Sequence, residues 1–133
     1  MMSKQDYKLQ NEQYFEKLRS SDDIKELRGG VLYKVIEEGT GKGEVNPRSV
    51  VTCHYKGSLI NGRVFDNSYE RKCPEAFRVN SLISGFQIAL VNMHIGDHWL
   101  VYIPADKGYG AMKAGDISAY STLIFEIELI SVC

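Results

Sequence analysis

The sequence is poor in the residues that staple, kink or anchor a chain: of 133 residues only three are cysteine, three proline and one tryptophan. Cys53, Cys73 and Cys133 are odd in number, widely spaced and free of any CxxC pair. A disulfide framework and a zinc or redox dithiol motif are therefore not indicated, and a reducing, cytoplasmic location is expected. No apolar run reaches the ~18 residues of a membrane-spanning helix, and Met1 to Tyr7 lack the apolar stretch of a secretion signal. An excess of either charge is also missing, since 16 Lys+Arg face 17 Asp+Glu for a net charge of -1. Nothing draws in phosphate backbones or anionic lipid, so neither nucleic acid nor a membrane is an expected partner. What is present, 44% hydrophobic and 25% charged residues, is the make-up of a folded globular chain, which excludes extended disorder. The length suits one domain able to bury roughly two thirds of its unfolded surface.

Residues 1–28 contain no Pro or Gly and place Tyr7, Tyr14 or Phe15, and Leu18 at helical spacing, which predicts an N-terminal helical arm. Ser20-Ser21-Asp22-Asp23, with Glu26 three after Asp23, predicts a capping box and a short second helical turn through Ile24 and Leu27, stopped by Gly29-Gly30. The arm is expected to be separable from a domain spanning 29–133, resting its apolar stripe on that domain or pairing with a second copy. From Val31 the hydrophobic period changes to two, the signature of strands. Strands are expected at Val31–Ile36, Val50–Lys56, Trp99–Ile103 and Thr122–Ile130. Asn61-Gly62 between apolar residues predicts a hairpin whose two turn residues both tolerate positive φ. In the last strand Leu123, Phe125, Ile127 and Leu129 oppose Glu126 and Glu128, so one face of the sheet is expected buried and the other wet. Phe86, Ala89, Leu90 and Met93 recur at i, i+3, i+4 and i+7, one short helix with Ser84 as cap and Gly96 as stop. The expected class is α+β, a twisted antiparallel sheet around one short helix.

The usual catalytic signatures fail on inspection. Gly39-Thr40-Gly41-Lys42-Gly43 lacks the spacing and the Ser or Thr of a phosphate loop. His94 and His98 are four apart, but Ile95-Gly96-Asp97 between them reads as a turn. Cys53 and His54 are neighbours on a strand and point to opposite faces, which denies them a nucleophile–base contact. No Gly-x-Ser-x-Gly elbow occurs, and no cofactor or metal is expected. What stands out is aromatic side chains at strand ends and in loops: Tyr55, Phe65 beside Asp66, Phe86, Tyr109 between two glycines, and Phe125.

Together these residues carry a resemblance. Val51-Thr52-Cys53-His54-Tyr55-Lys56-Gly57-Ser58-Leu59, Asn61-Gly62 and Val64-Phe65-Asp66-Asn67-Ser68 are similar to the first half of an FKBP-type peptidyl-prolyl cis-trans isomerase. Val79 to Phe86, Met93 to Gly96, Ile103-Pro104-Ala105 through Gly108-Tyr109-Gly110, and Ser121 to Leu129 follow in the same order. The resemblance implies a sheet wrapped around a short helix, with a proline pocket between them lined by Tyr55, Phe65, Asp66, Leu82, Ile83, Phe86, Tyr109, Ile117 and Phe125. It further implies that the Ile83 amide and the Tyr109 hydroxyl hold substrate carbonyls, and that Tyr55 and Arg71 orient Asp66. Proline-containing peptides, unfolded or partly folded proteins and macrolide inhibitors are the implied partners, and folding assistance of a chaperone kind the implied role. A non-catalytic binding module on the same fold is the alternative. Phe86 stands where the family usually has Trp. Glu75, after Cys73-Pro74, replaces an aromatic at the rim, and Asp116-Ile117-Ser118-Ala119-Tyr120 lacks the usual Pro-Pro end of its loop. Catalysis is expected to be retained and affinity altered.

Overall fold

The computed structural model describes residues 2–133. An N-terminal helix α1 (Lys4–Arg19) is capped by Ser3, whose side chain accepts from the Asp6 N–H at 3.0 Å. Asp6 in its first turn and Lys17 and Arg19 in its last complement the helix dipole. Seven antiparallel strands follow: β1 (Lys25–Glu26), β2 (Leu32–Glu37), β3 (Val50–Ser58), β4 (Val64–Asn67), β5 (Glu75–Arg78), β6 (His98–Ile103) and β7 (Leu123–Val132). A second helix, α2 (Ser84–Leu90), precedes β6. The sheet order is β1-β2-β6-β7-β3-β4, and β5 also pairs with β3. The twisted antiparallel sheet around one short helix is thus the observed architecture, with α1 added outside it.

The core lies between α2 and the inner face of the sheet. Cys53 and Tyr55 from β3, Val101 and Ile103 from β6, and Leu123, Phe125, Ile127 and Leu129 from β7 meet Phe86, Ile88, Ala89 and Leu90 of the helix. The alternation along β7 delivers this directly, since every second residue is buried through Leu129. Gly85 lets the helix seat closely, because a Cβ there would lie 2.3 Å from the Ile103 Cγ2.

Several local expectations are corrected. Residues 24–27 form no helical turn: Lys25–Glu26 is an edge strand paired with Tyr33 and Leu32. The sheet therefore begins on the arm's side of residue 28, because closing the edge of β2 supplies backbone partners that an isolated turn lacks. The outer face of the sheet is not uniformly wet. Phe15 of α1 packs with Leu32 and Tyr102, flanked by Tyr14, Leu18, Leu100 and Ile124. The buried Asn11 pins the helix down, accepting from the Thr122 N–H at 2.8 Å and donating to the Tyr7 carbonyl at 2.8 Å. Ser84 is the first residue of α2 and not its cap, a position taken by Ile83 without a side-chain bond, and the helix ends at Leu90, well short of Gly96. In the hairpin only Gly62 has positive φ, at 87°. Gly62 N–H bonds to the Leu59 carbonyl and Leu59 N–H to that of Arg63, so a longer loop replaces the two-residue turn.

Candidate functional site

The site is built where the sheet is interrupted. Along one edge of β3, residues 50–53 pair with β5 and residues 56–58 pair with β4. At the gap between these ladders Ser68 is fully buried, accepts from the Tyr55 N–H at 2.7 Å, and donates its own backbone N–H to the Tyr55 carbonyl at 2.9 Å. One serine thus satisfies both main-chain groups that the missing strand would have paired. Tyr55 is held with its ring in the core.

Around that ring the aromatics converge. Phe86, at the N-terminal end of α2, is 4% exposed, with ring centroids 5.0 Å from Phe125, 6.1 Å from Tyr55 and 6.3 Å from Phe77. Phe65 meets Phe125 edge-on at 5.6 Å, and Tyr55 meets Phe77 edge-on at 5.5 Å. Edge-to-face contacts of this kind fix ring orientation and leave a rigid apolar wall. Gly57 makes the wall possible, because a Cβ there would stand 2.6 Å from the Phe65 ring and 2.8 Å from that of Phe125. Leu82 and Ile83 are half-buried against the same core, and Ile117 is buried in it. The long loop delivers Ile117 through paired Ala114 and Ile117 backbone bonds of 2.9 and 2.8 Å.

One lip of the wall is polar. The Tyr55 hydroxyl donates to Asp66 Oδ2 at 2.5 Å, and Arg71 donates through Nη1 to Asp66 Oδ1 at 2.6 Å. Arg71 Nη2 reaches the Tyr55 hydroxyl at 3.2 Å and Glu75 Oε1 at 3.4 Å. Burial by itself would raise the Asp66 carboxyl, but the bonds from Tyr55 and Arg71 and the guanidinium charge outweigh it and hold the group below its ordinary value. Burial, reinforced by the bond to Asp66, pushes the Tyr55 hydroxyl up to about 12. The lip is therefore a neutral phenol, a carboxylate and a guanidinium, none of them poised to exchange a proton near neutral pH. A shallow depression of about 420 Å³ lies beside it, lined by Val64, Phe65, Asp66, Asn67, Glu70 and Arg71. Glu75 is half-buried on β5, on the side that Phe77 also faces, and is tied to Arg71. Tyr109 stands on the loop after β6 and is 40% exposed, reachable by a ligand. Among the described residues no three His, Cys, Asp or Glu side chains converge as a metal site requires.

Three contributors escaped the sequence reading. Phe77 completes the ring cluster, and its signal was the half-buried alternation of Glu75 and Phe77 around Ala76. Ser68 and Gly57 carry no local signal of their role, since each matters only through a partner distant in sequence.

The site is thus a set of interlocked aromatic rings with the Asp66 carboxylate fixed beside them by Tyr55 and Arg71. The sequence pattern of FKBP-type peptidyl-prolyl cis-trans isomerases matches residues 41–130, and the chain belongs to that family. Peptidyl-prolyl cis-trans isomerase Mip of Coxiella burnetii is 41% identical over 115 residues, covering 86% of this chain and 50% of that protein. FkpA of Escherichia coli strain K12 is 35% identical over 127 residues, covering 96% of this chain and 47% of that protein. The chain spans about half the length of the curated relatives it matches. Among solved structures, a peptidyl-prolyl cis-trans isomerase from Pseudomonas syringae pv. tomato superposes with a TM-score of 0.90 at 35% identity, covering 99% of this chain and 97% of that one. The crystal structure of Escherichia coli FkpA gives a TM-score of 0.89 at 34% identity, covering 96% and 60%.

Proposed function

We propose that the protein is a peptidyl-prolyl cis-trans isomerase, acting on X-Pro bonds in peptides and in unfolded or partly folded proteins. The observation that carries this reading is the convergence of Tyr55, Phe65, Phe77, Phe86 and Phe125 into one wall with Phe86 as its floor.

Rotation about an X-Pro bond crosses ~18–20 kcal/mol because the twisted amide loses its resonance. The twisted amide is less polar than the planar one, since the nitrogen lone pair no longer feeds the carbonyl oxygen. An apolar wall that strips water from the bond therefore destabilises the planar state more than the twisted one, and such differential binding lowers the barrier. A millionfold acceleration needs ~8 kcal/mol, within reach of desolvation, shape and a few hydrogen bonds. In this reading the proline ring rests on Phe86, while the Ile83 amide and the exposed Tyr109 hydroxyl take substrate carbonyls. Asp66, fixed by Tyr55 and Arg71, forms the wall beside the twisting bond. Leu82 and Ile117 enclose the ring.

Arg71 couples the lip to the rim, because the same guanidinium binds Asp66 and Glu75. A macrolide inhibitor would meet the Glu75 carboxylate where an aromatic would offer apolar area, so its affinity is weaker than a Phe at 75 would give. Folding assistance and a reducing, cytoplasmic setting belong to the same proposal, the latter supported by Cys53, Cys73 and Cys133 being free.

The test is a proline-limited peptide isomerisation assay with EDTA present, with and without a macrolide of the class that inhibits this family. Acceleration that survives chelation and is suppressed by the macrolide is expected. A chain that binds peptide without accelerating isomerisation would overturn the reading in favour of a non-catalytic binding module.

A further inference from the structure

A small cleft of about 180 Å³ lies beside α2, between that helix, the turn Arg28–Gly30 and the segment after β6. Arg28, Ser84, Gln87, Ile88 and Lys107 line it, two cations and no carboxylate. Among the described residues neither Arg28 nor Lys107 forms an ion pair. The carboxylates close to them in sequence are engaged or placed elsewhere: Glu26 binds Arg19 at 3.6 Å, and Asp106 lines a separate cavity against α1. The positive charge of the cleft stands uncancelled. Lys107 is half-buried, and its stem lies across Gly29, where a Cβ would stand 2.7 Å from the Lys107 Cε and 3.3 Å from the Ile88 Cδ1. Gly29 also has φ at +72°, so a glycine is what lets the ammonium sit there. Gln87 is fixed by the bond from its Nε2 to the Leu82 carbonyl at 2.6 Å, and the buried Ile88 supplies an apolar floor. A volume below the ~300–1,000 Å³ of pockets that take whole ligands suits a single group.

We infer that this cleft binds a phosphate group carried on a polypeptide, as on phosphoserine. The Arg28 guanidinium offers paired donors, the Lys107 ammonium a point charge and the exposed Ser84 hydroxyl a further donor, a set that matches a dianion with three acceptor oxygens better than a singly charged carboxylate. Resting on the isomerase reading, the polypeptide is the substrate. Ser84 directly follows Ile83 and Lys107 stands two residues before Tyr109, the two groups that take substrate carbonyls in that reading. Cleft and pocket thus share the first turn of α2, and one chain can occupy both while its proline rests on Phe86. Free phosphate is the other source of the same group, and the test separates the two.

The isotope-labelled full chain is titrated by NMR with a proline-free phosphoserine peptide and with its serine twin. Saturable shifts of the Arg28, Ser84 and Lys107 amide signals are expected with the phosphopeptide, and at least about tenfold weaker binding with the twin. Arg28→Gln and Lys107→Gln should each weaken the phosphopeptide about fivefold, and inorganic phosphate should compete with it. Added salt should weaken binding in the parent chain more than in either variant. In a second arm, X-Pro peptides carry phosphoserine about two to six residues from the proline on either side, roughly 7–20 Å of extended chain. At one spacing KM should fall at least about fivefold below that of the serine twin with kcat unchanged, and Lys107→Gln should remove this gain while isomerising the twin at the parent rate. Absence of shifts, shifts spread evenly over other basic residues, or unchanged affinity in both variants overturns the proposal. So does a KM gain at no spacing, since the cleft then serves free phosphate. Because the first probe lacks proline, its binding by a chain without isomerase activity removes the activity reading and leaves the phosphate site standing, and activity without binding does the reverse.

Discussion

Replacing Phe86 by alanine tests the floor of the pocket and the core at once. The ring is 4% exposed and touches three other rings, with centroids 5.0, 6.1 and 6.3 Å away. Truncating a fully buried Phe costs ~3–5 kcal/mol, the lost transfer energy plus a cavity that rigid neighbours fill only in part. The interlocked Tyr55, Phe77 and Phe125 are such neighbours, fixed by strands on three sides, so a cost of about 4 kcal/mol is expected. At roughly 4 °C per kcal/mol for a chain of this size, Tm falls by about 15 °C. Activity must be read well below that transition, where the variant is still folded. There the proline ring loses the face that desolvates it, an interaction on the scale of ~2 kcal/mol, so kcat/KM on a short peptide should fall about 30-fold. Phe86→Leu keeps most of the volume and should cost below about 1.5 kcal/mol in stability. A Phe86→Ala variant that loses under about 1 kcal/mol would show that this ring is not core, and one that keeps full activity while folded would show that it is not the floor.

Ser68→Ala leaves the Tyr55 N–H without its buried acceptor and should cost about 1–3 kcal/mol by denaturant titration, with lower activity as Tyr55 loosens. Gly57→Ala, which pushes a methyl into the Phe65 and Phe125 rings, should lower activity more than Tyr109→Phe, whose lost hydroxyl is worth ~0.5–1.5 kcal/mol and a several-fold rate. Equal losses would place more of the work on the Tyr109 hydroxyl. Removing residues 1–28 strips Phe15 from Leu32 and Tyr102 and takes β1 from the edge of β2, so the truncated chain should fold with a Tm lower by several degrees; an unchanged Tm would mean that both contacts are idle. Burial pushes the Cys53 thiol up to about 12, so a thiol reagent at pH 8 should label Cys73 and Cys133 and reach Cys53 only on denaturation. The Tyr55 hydroxyl is raised above its unfolded value of ~10, and burial raises those of Tyr14, Tyr69 and Tyr102 too. The unfolded chain loses those protons first, so stability should be full below pH ~10 and fall as pH rises toward 12 in a thermal-melt series.

Much of this protein follows from the sequence by itself. Alternation at Leu123, Phe125, Ile127 and Leu129 sets which side chains of β7 enter the core, because strand geometry leaves no other face for them. The spacing of Phe86, Ala89 and Leu90 likewise places one helix on that face, and the ordered motifs from Val51 to Leu129 identified the family. Tertiary structure alone decided the rest, wherever a residue's role depends on a partner remote in the chain. Phe15 had no visible target until Leu32 and Tyr102 came together under it, so the outer face of the sheet read as wet. Lys25–Glu26 became a strand because β2 offered an unpaired edge, which outweighs a local capping pattern worth about 1 kcal/mol. Ser68 gained its place from the gap between two ladders on β3, and Gly57 from two rings that close over it. Periodicity reports which way a side chain faces. What stands opposite it is settled only when elements pack, because burial and the pairing of buried polar groups are properties of the contact and not of either segment.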